Sequence, residues 1–202
     1  MKPGQKFRNA LKNNKPLIIP GTVNAYSAKL AELANHNSIY LSGSGVAAAS
    51  YGLPDLGVTT LEDVLIDAKR ITSATSLPLL VDIDTGWGDF DAISNTIIEM
   101  GNANVAAVHI EDQIFDKRCG HRPNKQLVSI DEMQDRLKAA LDAKIDDSFF
   151  IMARTDALAS EGIEKAIERC GKYLDVGADG IFFEAVVSIE EYKEFKNNFS
   201  CL

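Results

Sequence analysis

The chain has 202 residues, enough for one domain with a sizeable core, and an ordinary globular composition of 46% hydrophobic and 25% charged residues. Its 29 acidic residues outnumber its 21 Lys and Arg, and the net charge of −8 argues against non-specific binding to nucleic acid or to an anionic membrane. No apolar run approaches the ~20 residues of a membrane span, residues 1–10 are polar rather than signal-like, and Cys119, Cys170 and Cys201 show no metal spacing. The cytoplasm is the expected compartment.

A helix is expected near residues 5–14. Short, nearly continuous apolar runs follow at 16–20, 38–42, 77–84, 106–112, 149–156 and 180–185, the form taken by parallel strands covered on both faces. Amphipathic helix patterns lie between them. Ile130, Met133, Leu137 and Leu141 share one stripe, and Ile163, Ala166, Ile167, Cys170 and Leu174 another. Ser129 with Glu132, and Ser188 with Glu191, read as capping boxes that open helices.

Six β-then-α units in a row predict a parallel α/β sheet, doubly wound or closed into a barrel. The polar residues choose between these. Ser42, Asp82 with Asp84, Glu111, Arg154 with Asp156, and Glu184 fall at the C-terminal ends of five different runs, where a (β/α)8 TIM-type barrel assembles its site. No GxGxxG opens the first helix, which weakens a dinucleotide-binding reading. The expectation is a single, incomplete barrel domain over residues 1–202, with an N-terminal helix and about six of the eight β/α units. Its last residues, Phe199-Ser200-Cys201-Leu202, stand where a seventh strand would begin, and the open edges of such a barrel would invite association.

Two constellations carry chemistry. In Lys117-Arg118-Cys119-Gly120-His121 a thiol lies between two cations and a histidine, where a cysteine should titrate low and react; a plain surface turn is the bland alternative. Asp82 and Asp84 share one strand face by the period-2 rule, and two like charges so close need a cation or a proton between them. Mg²⁺ suits a few carboxylates, waters and substrate oxygens, with Glu111 one strand over; helix-capping aspartates are the alternative. Ser42-Gly43-Ser44-Gly45 exposes backbone N–H groups that suit a carboxylate, or is simply a turn. Arg154 offers a bidentate fork to a carboxylate, or a structural bridge to Asp156 or Glu184. Asp55 is a loop cap or an outer metal partner. His36 and His109 read as structural, and Cys170, on an apolar helix stripe, as inert.

Taken together, YLSGSG (40–45), GLPDLG (52–57), VDIDTGWG (81–88), HIEDQ (109–113), KRCGHRPNK (117–125), ARTDA (153–157) and FFEA (182–185) resemble the isocitrate lyase/phosphoenolpyruvate mutase superfamily along the whole chain. Within it the resemblance is to the methylisocitrate-cleaving branch, since phosphonate mutases usually lack the thiol loop and isocitrate lyases carry a long insertion. The resemblance implies a Mg²⁺-dependent carbon–carbon lyase that cleaves a tricarboxylate, 2-methylisocitrate, to pyruvate and succinate in propionate catabolism. It implies that Asp82 and Asp84 carry the metal, with Asp55 and Glu111 acting mainly through waters. Ser42, Gly43, Ser44 and Arg154 would grip carboxylates, Gly120 would add a backbone donor, and Glu184 would order the substrate. Cys119 would protonate the carbanion-like succinate, tuned by Lys117 and His121, with Tyr40 one candidate for the base. A homo-oligomer, a tetramer, is the implied full-length assembly. The family's barrel continues through two further units and a helical extension, so an inactive fragment with little turnover is the opposing expectation. A related activity on dimethylmalate or oxaloacetate is a third.

Overall fold

The computed structural model describes residues 1–199. Helices α1 (Pro3–Asn13) and α2 (Ala25–Leu33) precede strand β1 (Ile39–Leu41), which α3 (Gly43–Tyr51) and α4 (Leu61–Ala74) follow. Then come β2 (Leu79–Asp82), α5 (Phe90–Asn102), β3 (Ala107–Glu111), α6 (Ile130–Asp142) and β4 (Phe150–Thr155). The chain continues through α7 (Leu158–Glu161), α8 (Ile163–Val176), β5 (Gly180–Phe183) and α9 (Ile189–Asn198). The five strands are parallel and lie in sequence order, β1-β2-β3-β4-β5, the order of a barrel and not of a doubly wound sheet. No helix among the described residues is long and apolar enough to cross a membrane.

Alternation along each strand separates two faces. Ile39, Leu41, Leu79, Val81, Val108, Ile110, Ile151 and Ala153 face outward into the main core, against apolar residues of α2, α4, α5, α6 and α8. The opposite face is apolar only at its lower end. There Leu80, Ala107 and Phe150 pack under Phe7 of α1, whose ring meets Phe150 edge-on at 5.2 Å. Gly4 makes that approach possible, since a Cβ there would overlap the Ser148 carbonyl. At the upper end the same face carries Asp82, His109, Glu111 and Arg154, with Asp82 paired to His109 and Glu111 to Arg154 across neighbouring strands.

The expected strand at 16–20 is not one. Two prolines bracket that segment and neither has an N–H for a ladder. Pairing is confined to one bridge between Gly21 and Tyr40, with Tyr40 N–H donating to the Pro20 carbonyl at 2.9 Å and Thr22 N–H to the Tyr40 carbonyl at 2.7 Å. The capping box at Ser188 and Glu191 forms in full. At α6 only half of one forms: Ser129 accepts the Glu132 N–H, but the Glu132 carboxylate turns to Arg136 at 2.7 Å. Cys201 and the expected seventh strand lie outside the described residues.

Candidate active site

β2 ends at Asp82, and the chain then turns sharply. Asp84 therefore reaches the site through a left-handed residue, φ +48°, rather than by strand alternation as the sequence suggested. Its own N–H donates to Asp82 Oδ1 at 3.1 Å. Gly86, at φ +90°, completes the turn with no room for a Cβ beside Ile93.

Asp82, Asp84 and Glu111 each bring one oxygen to within 4.8 Å of the others, and all three are buried. Both Glu111 oxygens and Asp84 Oδ1 lack a hydrogen-bond partner among the described residues. Burial, then repulsion from Asp82, pushes the Asp84 carboxyl up to about 6, and burial raises Glu111 well above the usual carboxylate range. Unsatisfied hard oxygens at this spacing fit a divalent cation, which would replace that repulsion with attraction.

Two basic side chains border the cluster. Lys117 Nζ lies 2.7 Å from Asp55 Oδ1 and 2.6 Å from Asp84 Oδ1. Asp84 and Asp55 thus share one ammonium between them. Burial alone would lower the Lys117 ammonium, but Asp84 and Glu111 outweigh it and keep the group charged. Arg154 donates Nε to Asp156 Oδ2 at 3.0 Å and Nη2 to Asp156 Oδ1 at 3.2 Å. The same Nη2 lies 3.3 Å from Glu111 and 3.9 Å from Glu184, so both structural bridges foreseen for Arg154 form.

Tyr40 and His109 share a hydrogen bond at 2.9 Å between the hydroxyl and Nε2. Burial holds His109 neutral, with its pKa pushed down to about 4, and Nδ1 stands 3.7 Å from Asp82 Oδ1. Burial, then the Asp82 charge, pushes the Tyr40 phenol far up. A phenol so placed stays protonated near neutral pH while the Asp82 charge beside it is not neutralised. The Ser42 and Ser44 hydroxyls lie 3.0 Å apart where α3 begins, while the Gly43 N–H donates to Asp82 Oδ2 at 3.2 Å. That N–H is thus committed to the acidic cluster. A Cβ at Gly43 would stand 3.2 Å from Asp84 Oδ1, so the glycine lets α3 close on the carboxylates.

The thiol loop crosses above β3 and β4. Its base is closed by a bridge between Gln113 and Leu127, and the buried Gln113 amide makes two hydrogen bonds to the backbone of Arg118, at 2.8 and 3.0 Å. Cys119 is half-buried and unbonded to another cysteine, while Cys170 is fully buried. Gly120 packs on Glu184 and Arg154 so closely that a Cβ would overlap the Glu184 carboxylate. The neighbours expected to tune the thiol are engaged elsewhere: Lys117 with Asp55 and Asp84, and His121, largely exposed, with Glu184 at 3.4 Å.

Sequence reasoning missed His109, Lys125 and Asp112. His109 had a signal, its place on the same strand face as Glu111. Lys125 and Asp112 had none beyond membership of the conspicuous segments. Asp112 is buried beneath the site and accepts from Thr155, Tyr173 and the Asp156 N–H at 2.7 to 2.9 Å, tying the end of β4 to α8.

Fold and site together define a barrel-type α/β protein with acids, a guanidinium and a thiol gathered at the C-terminal ends of its strands. The phosphoenolpyruvate phosphomutase family matches residues 7–202, and the chain belongs to that family. It is 61% identical over 193 residues to the 2-methylisocitrate lyase of Shewanella oneidensis, covering 96% of this chain and 66% of that protein. The chain spans 63–66% of the length of the first curated relatives that it matches. Among solved structures it resembles 2,3-dimethylmalate lyase, a PEP mutase/isocitrate lyase superfamily member, with a TM-score of 0.93, 35% identity, and coverage of 100% of this chain and 68% of that one. It also resembles phosphonopyruvate hydrolase, solved in complex with oxalate and Mg²⁺, with a TM-score of 0.85, 31% identity, and coverage of 98% and 68%.

Proposed function

We propose that this protein is a Mg²⁺-dependent lyase that cleaves 2-methylisocitrate to pyruvate and succinate, built on residues 1–202 as one barrel-type domain. The observation that carries the reading is a half-buried thiol loop set on Arg154 and Glu184, on the same end of the sheet as the cluster of Asp82, Asp84 and Glu111. The 61% identity to a 2-methylisocitrate lyase, against 35% to a dimethylmalate lyase, supports this substrate over its relatives. Held by Asp82 and Asp84, with Asp55 and Glu111 behind waters, Mg²⁺ would stabilise negative charge on a substrate oxygen.

The chain's own residues then divide the work. Arg154, its Nε and Nη2 held by Asp156, leaves Nη1 for a substrate carboxylate, and the Ser42 and Ser44 hydroxyls suit a second. Tyr40, protonated and held by His109, serves as a hydrogen-bond donor. The substrate hydroxyl gives up its proton to water as its oxygen becomes the pyruvate carbonyl. The carbon–carbon bond breaks, its electron pair stays on the succinate carbon and takes the proton from Cys119 Sγ, and the thiolate regains a proton from water. Lys117 keeps charge balance at Asp55 and Asp84, while His121 and Glu184 close the substrate end. The reading carries with it a cytoplasmic homotetramer, which light scattering of the purified protein would check.

The test is pyruvate release from 2-methylisocitrate with Mg²⁺ under single-turnover conditions, beside calorimetric titration of Mg²⁺. Cys119→Ser should lose pyruvate release while keeping Mg²⁺ affinity, and Asp84→Ala should lose both. Undiminished release by Cys119→Ser removes the thiol from the chemistry. Release from dimethylmalate or oxaloacetate but not from 2-methylisocitrate overturns the substrate.

A further inference from the structure

One buried cation near the site has no part in the reaction just described. Lys125 closes the thiol segment, and its side chain is 2% exposed. Its ammonium donates to the Gly120 carbonyl and, at 3.1 Å, to Asp156 Oδ1. Asp156 is fully buried and already accepts both bonds from Arg154, while its N–H donates to Asp112. Two cations from different parts of the chain thus share one carboxylate. Burying an ammonium is unfavourable without such partners, and a buried pair often adds little net stability over an apolar one. What this pair supplies is geometry.

The loop is also held beside the thiol, where the Arg122 N–H donates to the Cys119 carbonyl at 2.8 Å, Gly120 packs on Glu184, and His121 lies 3.4 Å from the same carboxylate. Gln113 holds the backbone at Arg118, and Lys117 reaches toward the metal cluster. Beyond the thiol, His121 to Asn124 are exposed, and Asn124 stands at φ +62°. Lys125 is the point at which that stretch returns to the body of the protein. One peptide bond separates Cys119 from Gly120, whose carbonyl Lys125 holds. A continuous path therefore runs from the thiol through Gly120, Lys125 and Asp156 to the guanidinium of Arg154.

We propose that Lys125 is a positioning residue that sets the Cys119 thiol in register with the Arg154 carboxylate clamp. The proposal rests on the roles given above to Cys119 and Arg154. Without the ammonium the Gly120 carbonyl loses its anchor, and the thiol drifts from the substrate while the clamp, still held by Asp156, continues to bind.

Lys125→Met tests this, because it keeps the length of the stem and removes the charge. Displacement of about 1 Å at a reacting group is enough for a fall of about 10²-fold in kcat, with KM for 2-methylisocitrate and Mg²⁺ affinity little changed. Independently of any lyase activity, Cys119 should react several-fold faster with iodoacetamide in the variant, while Cys170 stays protected. Wild-type labelling of Cys119 in a variant whose Cys170 is protected overturns the proposal, as does a rise in KM at unchanged kcat. Exposure of Cys170 would signal unfolding. Lys125→Gln, which keeps a donor for the Gly120 carbonyl, is then read by the same two measurements. A wild-type protein without lyase activity, but with the predicted change in labelling, overturns the assigned reaction and leaves the positioning role standing.

Discussion

Asp84→Asn should make the protein more stable when Mg²⁺ is chelated, and the structure sets the size of the gain. The Asp84 side chain is 6% exposed, and burial with Asp82 beside it raises its carboxyl from 3.8 to about 6. Two units correspond to roughly 3 kcal/mol held against the ionised form. Asparagine removes that penalty but deprives Lys117 of one counter-charge, with Asp55 remaining at 2.7 Å. A net gain of about 1–2 kcal/mol is expected, or a rise in Tm of roughly 2–8 °C for a chain of this size.

The sign has a pH signature. A carboxyl whose pKa is raised on folding contributes stability that is complete below its unfolded value of 3.8 and is lost as pH rises through about 6. The advantage of asparagine should therefore be full at pH 8, shrink through pH 6 and vanish below pH 4. Thermal unfolding in EDTA across that range is the assay. Saturating Mg²⁺ should invert the order, since it stabilises only the wild type, by about 2.7 kcal/mol at a hundred times its Kd. An asparagine variant less stable than wild type at pH 8 in EDTA, or a difference independent of pH, would refute the reasoning.

Gly120→Ala puts a methyl against Glu184 and within 2.7 Å of Arg154 Nη2, so the loop or the clamp must move. A loss of about 1–3 kcal/mol in stability and a weakened affinity for the substrate should both appear, by denaturation and calorimetry. Glu161 accepts two bonds from Arg169, each at 2.7 Å, and the arginine holds its carboxyl below the ordinary 4.5. That stability is present above pH 4.5 and lost on acidification, so Glu161→Gln should cost about 0.5–1 kcal/mol in urea at pH 7, with the gap closing as pH falls below 4.5 through the lowered pKa of the folded carboxyl.

The central strands were legible because their outward positions are mostly aliphatic and their inward positions turn polar only at one end. Short apolar runs ending in acids or an arginine carry that pattern openly, and the sheet order followed from the even spacing of the units. Pairing by side-chain reach was not legible. Lys117 meets Asp55 across 62 positions of sequence, and Lys125 meets Asp156 across 31. Nothing local marks an ammonium as bound for one carboxylate rather than another, and the closeness of Lys117 to Cys119 suggested a role in tuning the thiol that its contacts with Asp55 and Asp84 do not reflect. Asp84 shows the same limit in the backbone. Strand periodicity placed it beside Asp82 for a reason that fails, because β2 has already ended, and a left-handed turn brings it there instead.

The charges at this end of the sheet do not balance among themselves. Asp55, Asp82, Asp84, Glu111, Asp156 and Glu184 face Lys117, Lys125 and Arg154, six potential anions against three cations. Asp156 is matched twice over, by Lys125 and Arg154, and Asp55 once, by Lys117. Lys117 also reaches Asp84 and Arg154 also reaches Glu111, but both cations are shared, so the excess of acid is concentrated at Asp82, Asp84 and Glu111, where the raised carboxyls of Asp84 and Glu111 stand together. A protein selected for stability alone would place apolar side chains there, as it does one layer below at Leu80, Ala107 and Phe150. Protons would relieve the local excess in acid, and a divalent cation would do so at neutral pH. The same three carboxylates thus account for both the instability expected without Mg²⁺ and the site proposed to hold it.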